Sequence, residues 1–145
     1  MTTELDALQV TLAAEHAAVY VHGLLGSRTS QTAEAELYLA LRAAYEAHRD
    51  RRDTLIGEIA ALAATPAPAA AAYTPPAGLE TTDGRYQAAL ALEKACASTY
   101  AALVGATTGS RRLEAISLLN DAAARELSFR GTPEIFPGAD EYADR

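Results

Sequence analysis

A proline-rich segment divides the chain into two halves and limits the folds that it can adopt. Residues 65–82 read TPAPAAAAYTPPAGLETT and contain four prolines. Because proline lacks an amide hydrogen and its ring clashes with the preceding turn, an α-helix cannot run through this segment. We expect the segment to be extended. A dozen residues in the polyproline II form would span about 37 Å, close to the length of a helix of about 23 residues.

The sequence predicts two helices on each side of this segment. Alanine accounts for 35 of the 145 residues, and alanine is the best helix former. Apolar residues also recur at spacings of three and four, as on one face of a helix. The predicted helices cover residues 3–25, 30–64, 82–104 and 110–130, with Thr3 capping the first and Ser110 capping the fourth. The predicted inward stripe of the fourth helix is Leu113, Ile116, Asn120, Ala123 and Leu127.

The connector lengths predict an all-α, ferritin-like four-helix bundle. Only a few residues join helices 1 and 2, and likewise helices 3 and 4, so each pair should form an antiparallel hairpin. The proline-rich segment is long enough to cross the bundle and connect the hairpins, which is a ferritin-like connectivity. We predict a bundle over residues 1–130. Residues 131–145 form an irregular tail, which carries Phe136 and packs on the bundle or on a partner subunit.

Composition favours a soluble cytoplasmic protein. The net charge is −7, which disfavours binding to nucleic acid or to an anionic membrane. The single cysteine, Cys96, has no partner for an intrachain disulfide, as is typical of a reducing compartment. The N-terminal residues MTTELDALQ are acidic, unlike a secretory signal. No apolar run reaches the length of a membrane span.

Polar side chains lie near the midpoint of each predicted helix. Glu15 lies in the first helix, His48 in the second and Glu93 in the third. In the fourth, Asp121 lies one position off the apolar stripe, beside Asn120. Because the midpoints of antiparallel helices lie at one height, we expect these side chains in one cross-section of the bundle.

This layer matches a di-iron carboxylate site only in part. Such a site uses one Glu from each of two helices and Glu-x-x-His from each of the other two. Glu15 and Glu93 supply the first pair, but Tyr45 occupies the position of the Glu in helix 2, and residues 121–124 read DAAA, without a histidine. A reduced site for iron or manganese would use Glu15, His48 and Glu93.

A buried network without metal is the preferred interpretation. Arg52 lies on the predicted stripe of helix 2, and Arg49 or Arg125 could lean into the same layer. An arginine repels a cation but pairs well with buried carboxylates. His22, near the end of helix 1, is expected to contact water. The predicted members of the central polar layer are Glu15, Tyr20, Tyr45, His48, Arg52, Glu93 and Asp121.

These patterns favour a non-catalytic structural or interaction module that forms a homodimer, with no catalytic residue and no cofactor. Two alternatives remain open. One is a metal-binding protein or oxidoreductase that uses the reduced ligand set. The other is a small-molecule binding module with a pocket lined by Tyr20, Tyr45 and Tyr100.

Several segments also resemble a known family. EHAAVY at 15–20, HRDRRD at 48–53, LEKACASTYAAL at 92–103 and FPG at 136–138 are similar to an alanine-rich actinobacterial family of domains of unknown function. That family is classed as ferritin-like, and the resemblance covers nearly the whole chain in the same order. It implies a four-helix ferritin-like bundle and assigns neither an activity nor a catalytic residue.

Overall fold

The computed structural model describes residues 2–139 and 141, and this part of the chain is an all-α, four-helix bundle. The helices are α1 (Glu4–Ser27), α2 (Ala35–Ala61), α3 (Thr82–Ala106) and α4 (Gly109–Ser128). The predicted fold class is therefore confirmed. Residues 140 and 142–145 of the predicted tail lie outside the described residues. None of the helices in this part of the chain combines the length and apolar character that crossing a bilayer needs.

Local capping explains where α1 and α2 begin. The Thr3 hydroxyl accepts a hydrogen bond from the Asp6 amide at 3.1 Å, and the Asp6 carboxylate accepts one from the Thr3 amide at 3.2 Å. These two bonds form a capping box, so the predicted cap at Thr3 is confirmed. α2 begins later than predicted because Ser30 caps a separate turn, with its hydroxyl 3.1 Å from the Ala33 amide.

Two other predicted boundaries were wrong. α2 ends at Ala61, since Ala63 adopts a left-handed conformation with φ of 56° that an α-helix cannot include. α4 begins at Gly109, with Thr108 rather than Ser110 in the N-cap position.

The proline-rich crossover runs along α1. At one end of the bundle, the Gln9 amide donates to the Thr65 carbonyl at 2.8 Å and accepts from the Ala67 amide at 2.8 Å. Further along, Tyr73 stacks on Tyr20 with ring centroids 5.1 Å apart. The segment thus connects the two hairpins along the length of α1, as its length predicted.

The crossover is fixed where it reaches the opposite end of the bundle. Leu79 enters the core, and the Arg85 guanidinium donates to the Leu79 carbonyl at 2.8 Å. Arg85 also pairs with Glu34, whose carboxylate accepts from the Thr82 hydroxyl at 2.5 Å. These contacts connect the beginning of α2 to the beginning of α3.

Apolar packing is concentrated towards the two ends of the bundle. One cluster, containing Leu25, Leu37 and Phe129, lies where the crossover ends, and another, containing Leu8, Leu55 and Leu103, lies where it begins. A smaller cluster around Cys96 and Tyr100 lies between α3, α4 and α1. The polar side chains described below occupy the middle of the bundle.

The predicted inward stripe of α4 was wrong. Leu113 is 69% exposed, Leu127 is 51% exposed, and Ile116 and Asn120 are also exposed. The buried positions are instead Ala115, Ala122 and Glu126. α4 packs chiefly against α3 through a face that includes Ala115 and Ala122, so Leu113 and Leu127 lie on the outside.

Candidate functional site

Three charged or ionisable side chains from three helices meet in the bundle interior. Glu15 of α1, His48 of α2 and Glu93 of α3 each have no solvent exposure. His48 lies between the two carboxylates. Its Nδ1 is 2.6 Å from Glu15 Oε2, and its Nε2 is 3.0 Å from Glu93 Oε1. The structure thus brings together the three residues that the sequence placed at the helix midpoints.

His22 is the fourth member of this cluster. Its Nε2 is 3.0 Å from the same Glu93 Oε1 that His48 contacts. The His22 ring stacks on His48 with centroids 5.2 Å apart and on Phe129 at 5.8 Å. At 1% exposure His22 is buried, so the expectation that it contacts water was wrong.

Arginine and tyrosine side chains complete the network. The Tyr100 hydroxyl donates a hydrogen bond to Glu15 and lies 3.4 Å from an Arg51 nitrogen. The Arg125 Nε donates to Glu93 Oε2 at 3.0 Å. We use the name central network for Glu15, His22, His48, Glu93, Tyr100 and Arg125.

The hydrogen-bond geometry determines the protonation of the two histidines. Ionised Glu93 can only accept hydrogen bonds, so the Nε2 atoms of His22 and His48 must both carry a proton. His48 Nδ1 also lies 2.6 Å from Glu15 Oε2, so both ring nitrogens face carboxylate oxygens, an arrangement that suits an imidazolium. His22 Nδ1 is buried and has no hydrogen-bond partner among the described residues, so a neutral His22 is sufficient. The charges of His48 and Arg125 then balance those of Glu15 and Glu93.

The electrostatic environment agrees with this assignment. Burial lowers the pKa of His48, but hydrogen bonds to Glu15 and Glu93 outweigh it, and the pKa is raised overall. Burial is the dominant effect on His22, whose pKa is lowered. For Glu93, burial acts to raise the pKa, but hydrogen bonds from both histidines and the charge of Arg125 lower it overall.

Four predicted members of the central polar layer lie outside the central network. Arg52, predicted to pair with the buried carboxylates, instead pairs with the adjacent Asp53 at 2.7 Å. Asp121 is exposed and pairs with Arg51 at 3.0 Å. Tyr20 stacks on Tyr73 of the crossover, and Tyr45 packs beside Gly23. The contribution predicted for Arg52 was therefore wrong.

The predicted tyrosine-lined pocket is also not formed as expected. Tyr100 is fully buried and hydrogen-bonded within the central network, whereas Tyr20 packs against the crossover. Tyr45 lies with His22 beside a separate shallow cavity between α1 and α2.

Helical spacing could have identified two members that the sequence interpretation missed. His22 follows Glu15 by seven residues, and Tyr100 follows Glu93 by seven. Seven residues are close to two helical turns, so each pair shares a face. The same reasoning could not decide whether Arg51 or Arg52 contacts the central network. These adjacent positions lie about 100° apart around the axis of α2, and both border the predicted polar layer.

The residues present do not fit a di-iron centre. The α2 position that should supply a bridging carboxylate holds Tyr45, and the α4 position that should supply a histidine holds Ala124. In addition, Arg125 donates a hydrogen bond to the second carboxylate oxygen of Glu93. A bridging carboxylate would need that oxygen to bind a second metal ion. Within the described residues, the positions expected to complete a two-metal carboxylate site therefore do not hold its ligands.

A smaller ligand set does converge. One donor atom from each of His22, His48 and Glu93 lies within 4.8 Å of the others. Two imidazoles and one carboxylate are a ligand set for zinc or non-haem iron. Glu15 would orient the His48 ring through Nδ1. Carboxylates that do not bind the metal themselves often orient a metal-binding histidine in this way. Metal binding through the Nε2 atoms would require both histidines to lose the proton there, which His22 could carry on Nδ1 instead.

Comparison with known proteins identifies the family of this chain and a similar solved structure. The family model described as "Domain of unknown function (DUF4439)" matches residues 7–141. The crystal structure of a conserved hypothetical protein, rv2844, from Mycobacterium tuberculosis is similar, with a TM-score of 0.79 and 26% sequence identity. The match covers 88% of this chain and 94% of that one. Comparison with curated proteins finds no match.

Proposed function

The chain belongs to the DUF4439 family, and we propose that it is a non-catalytic, ferritin-like bundle that acts as a structural or interaction module. In this proposal the central network is a degenerate di-iron site. A proton on His48 and the guanidinium of Arg125 neutralise the carboxylates that would otherwise bind metal ions.

One observation carries the proposal: His48 contacts Glu15 and Glu93 at 2.6 and 3.0 Å through its two ring nitrogens. Only an imidazolium donates from both nitrogens. Each carboxylate also has a second donor, Tyr100 for Glu15 and Arg125 for Glu93. Buried charges that are paired and hydrogen-bonded in this way can persist without an ion.

Exposed apolar side chains provide the surface for interaction, and we include a homodimer in the proposal. On α4, Leu113, Ile116 and Leu127 lie on the outside of the bundle, and Ile135 and Phe136 are exposed in the tail. The α4 positions are three and eleven residues apart, close to one and three helical turns, so they share one face of the helix. Burying this outer face against a second copy would remove it from water.

We propose a cytoplasmic location on the basis of Cys96. Its thiol is buried and free, and burial raises its pKa well above the usual value, so it is a poor nucleophile for disulfide exchange. Fractionation of the native host, with immunodetection of the chain, tests the location. Recovery in a secreted or membrane fraction would contradict it.

Elemental analysis tests the proposal directly. The full chain, purified without chelators from medium supplemented with iron, manganese and zinc, should contain far less than one metal ion per chain. The Glu93→Gln variant should give the same background. Stoichiometric metal in the unmodified chain that disappears in the variant would overturn the proposal.

Metal binding at His22, His48 and Glu93 is the second candidate, because their donor atoms converge. This candidate predicts a metal-dependent rise in melting temperature by mass action. The rise should be larger at about pH 8 than at about pH 6, since the metal competes with the proton on His48.

Thermal unfolding with Fe(II), Mn(II) or Zn(II) separates the two candidates. A rise that depends on pH and is lost in His22→Phe would favour the metal site. His22→Phe is a suitable variant because the ring stacks on Phe129 and His22 carries no charge in the central network. An unchanged melting temperature with all three ions would support the metal-free module.

A further inference from the structure

A groove lies between α2 and α4. The close helix pairs are α1 with α2, α3 with α4, and α1 with α3. α2 and α4 are not such a pair, and the space between them is a groove of about 330 Å³. That volume is at the lower end of the range for small-molecule sites. The groove was not predicted from the sequence. The predicted inward stripe of α4 faces away from the groove.

The groove combines an apolar floor with charged sides. Its floor includes Leu55, Leu103 and Leu118. Glu58 of α2 and Glu114 of α4 line opposite sides. The first two leucines belong to the packed core, so the floor is rigid and a ligand could cover apolar surface there.

Both arginines that line the groove have carboxylate partners, and the shortest ion pair of each is with a residue outside the groove. Arg51 donates to Asp121 at 3.0 Å and also contacts Tyr100. Arg111 pairs with Glu4 at the start of α1, and its Nε is 3.9 Å from Glu58. That separation is at the limit of an ion pair and beyond hydrogen-bonding distance.

The groove lining holds one more carboxylate than guanidinium groups and is therefore net negative: Asp50, Glu58 and Glu114 against Arg51 and Arg111. Burial and the neighbouring charge of Glu114 raise the pKa of Glu58, and the charge of Arg111 only partly offsets this rise. A positive charge placed between the two carboxylates would relieve this repulsion.

We propose that the groove between α2 and α4 binds a small organic cation with a protonated amine and a hydrocarbon body. The ammonium lies between Glu58 and Glu114, and the hydrocarbon covers the leucine floor. An ammonium group has three donors and no acceptor, which suits two carboxylates. The proposal extends beyond the structural role proposed above and does not depend on it.

Three probes of similar size separate charge from hydrophobicity: hexylamine, 1-hexanol and hexanoate. Each is titrated into the full, isotope-labelled chain while amide resonances are followed by NMR. Hexylamine should shift amides near residues 54–58 and 114–118 and bind at least about tenfold more tightly than 1-hexanol. Hexanoate should bind more weakly than either.

Matched variants test the assignment. The double variant Glu58→Gln/Glu114→Gln should bind hexylamine no more tightly than 1-hexanol. The control Glu36→Gln/Glu80→Gln makes the same charge change at exposed positions that do not line the groove, and it should retain the preference for hexylamine. Ser117→Tyr, which places a ring at the groove, should weaken binding of both probes.

Equal affinity for hexylamine and 1-hexanol in the unmodified chain would overturn the proposal. So would retention of the amine preference in the Glu58→Gln/Glu114→Gln variant, or resonance shifts confined to another region. If the double variant does not fold, Ser117→Tyr provides the test. An unchanged affinity of Ser117→Tyr for hexylamine would overturn the proposal.

Discussion

His48 provides the positive charge that allows two carboxylates to share one cross-section of the bundle. It is fully buried and contacts both Glu15 and Glu93. Removing one partner from a buried ion pair leaves the other charge unpaired, and this costs more than the pair itself contributes. Single substitutions in the central network should therefore have large effects on stability.

Replacing Glu93 with Gln should destabilise the fold strongly. The change removes the acceptor charge for His48 and Arg125, so we expect a loss of about 3–5 kcal/mol in the free energy of unfolding. Urea denaturation measures this loss. The control Glu36→Gln alters an exposed carboxylate and should change stability by less than about 0.5 kcal/mol. Similar effects of the two variants would contradict the ion network.

The two histidines should give opposite pH dependences. The pKa of His48 is raised, so its contribution to stability is complete below about pH 6.5 and is lost as pH rises through the folded pKa. The pKa of His22 is lowered, so stability falls as pH drops below about 6.5, where the unfolded chain takes up a proton. The pKa of Glu93 is lowered, so its contribution to stability is complete above about pH 5 and is lost progressively as the pH falls further.

Urea unfolding measured across the pH range tests this prediction with two variants. His48→Gln should remove the loss of stability on the alkaline side. His22→Gln should remove the loss that begins below about pH 6.5. An alkaline profile of His48→Gln identical to that of the unmodified chain would show that His48 is not an imidazolium in the fold.

Sequence reasoning located the buried acids but not all of their partners. Glu15, His48 and Glu93 could be placed together because each lies near a helix midpoint. Choosing between Arg51 and Arg52 requires the exact rotation of α2, and a shift of one residue moves a side chain by about 100°. Local spacing alone does not fix that rotation.

α4 shows how packing can reverse an amphipathic pattern. Burying the large residues Leu113, Ile116 and Leu127 is the obvious prediction from sequence. The structure buries Ala115 and Ala122 instead, because small residues allow α4 to approach α3 closely. The choice between the two faces depends on contacts with α3 that are distant in sequence.

The double variant Leu113→Gln/Leu127→Gln tests the outer face of α4. We expect it to convert a homodimer into monomers in sedimentation equilibrium, because it removes the exposed apolar side chains. Stability per monomer should change by less than about 0.5 kcal/mol, since both sites are exposed. A monomeric unmodified chain, or a dimer unaffected by the variant, would contradict the proposed interface.

Two glycines should respond oppositely to substitution by alanine. A Cβ on Gly57 of α2 would meet nothing within 4 Å, so Gly57→Ala should stabilise the chain by up to about 1 kcal/mol. A Cβ on Gly84 of α3 would lie 1.8 Å from the Gly78 carbonyl oxygen. Gly84→Ala should therefore cost at least about 1–3 kcal/mol as the crossover shifts. Thermal unfolding of both variants measures the contrast, and stabilisation by Gly84→Ala would contradict the close approach.

The order of helices and the path of the crossover were predictable at the scale of the whole molecule. Four prolines excluded a helix, and the number of residues was enough to cross the bundle. The anchors could not be predicted, because Gln9 with Thr65 and Arg85 with Glu34 pair residues far apart in the sequence. Contacts of this kind produce no periodic pattern of residue types in the sequence.

The path of the crossover also determines how the molecule opens. α1 packs against α2 on one side and α3 on another, and the crossover covers part of its remaining surface. Deuterium can replace the backbone amide protons near Glu15 only when α2, α3 and the crossover separate from α1 together. We expect the middle of α1 to exchange at the rate of global unfolding, while α4, whose close helix pair is with α3 alone, exchanges through smaller local openings.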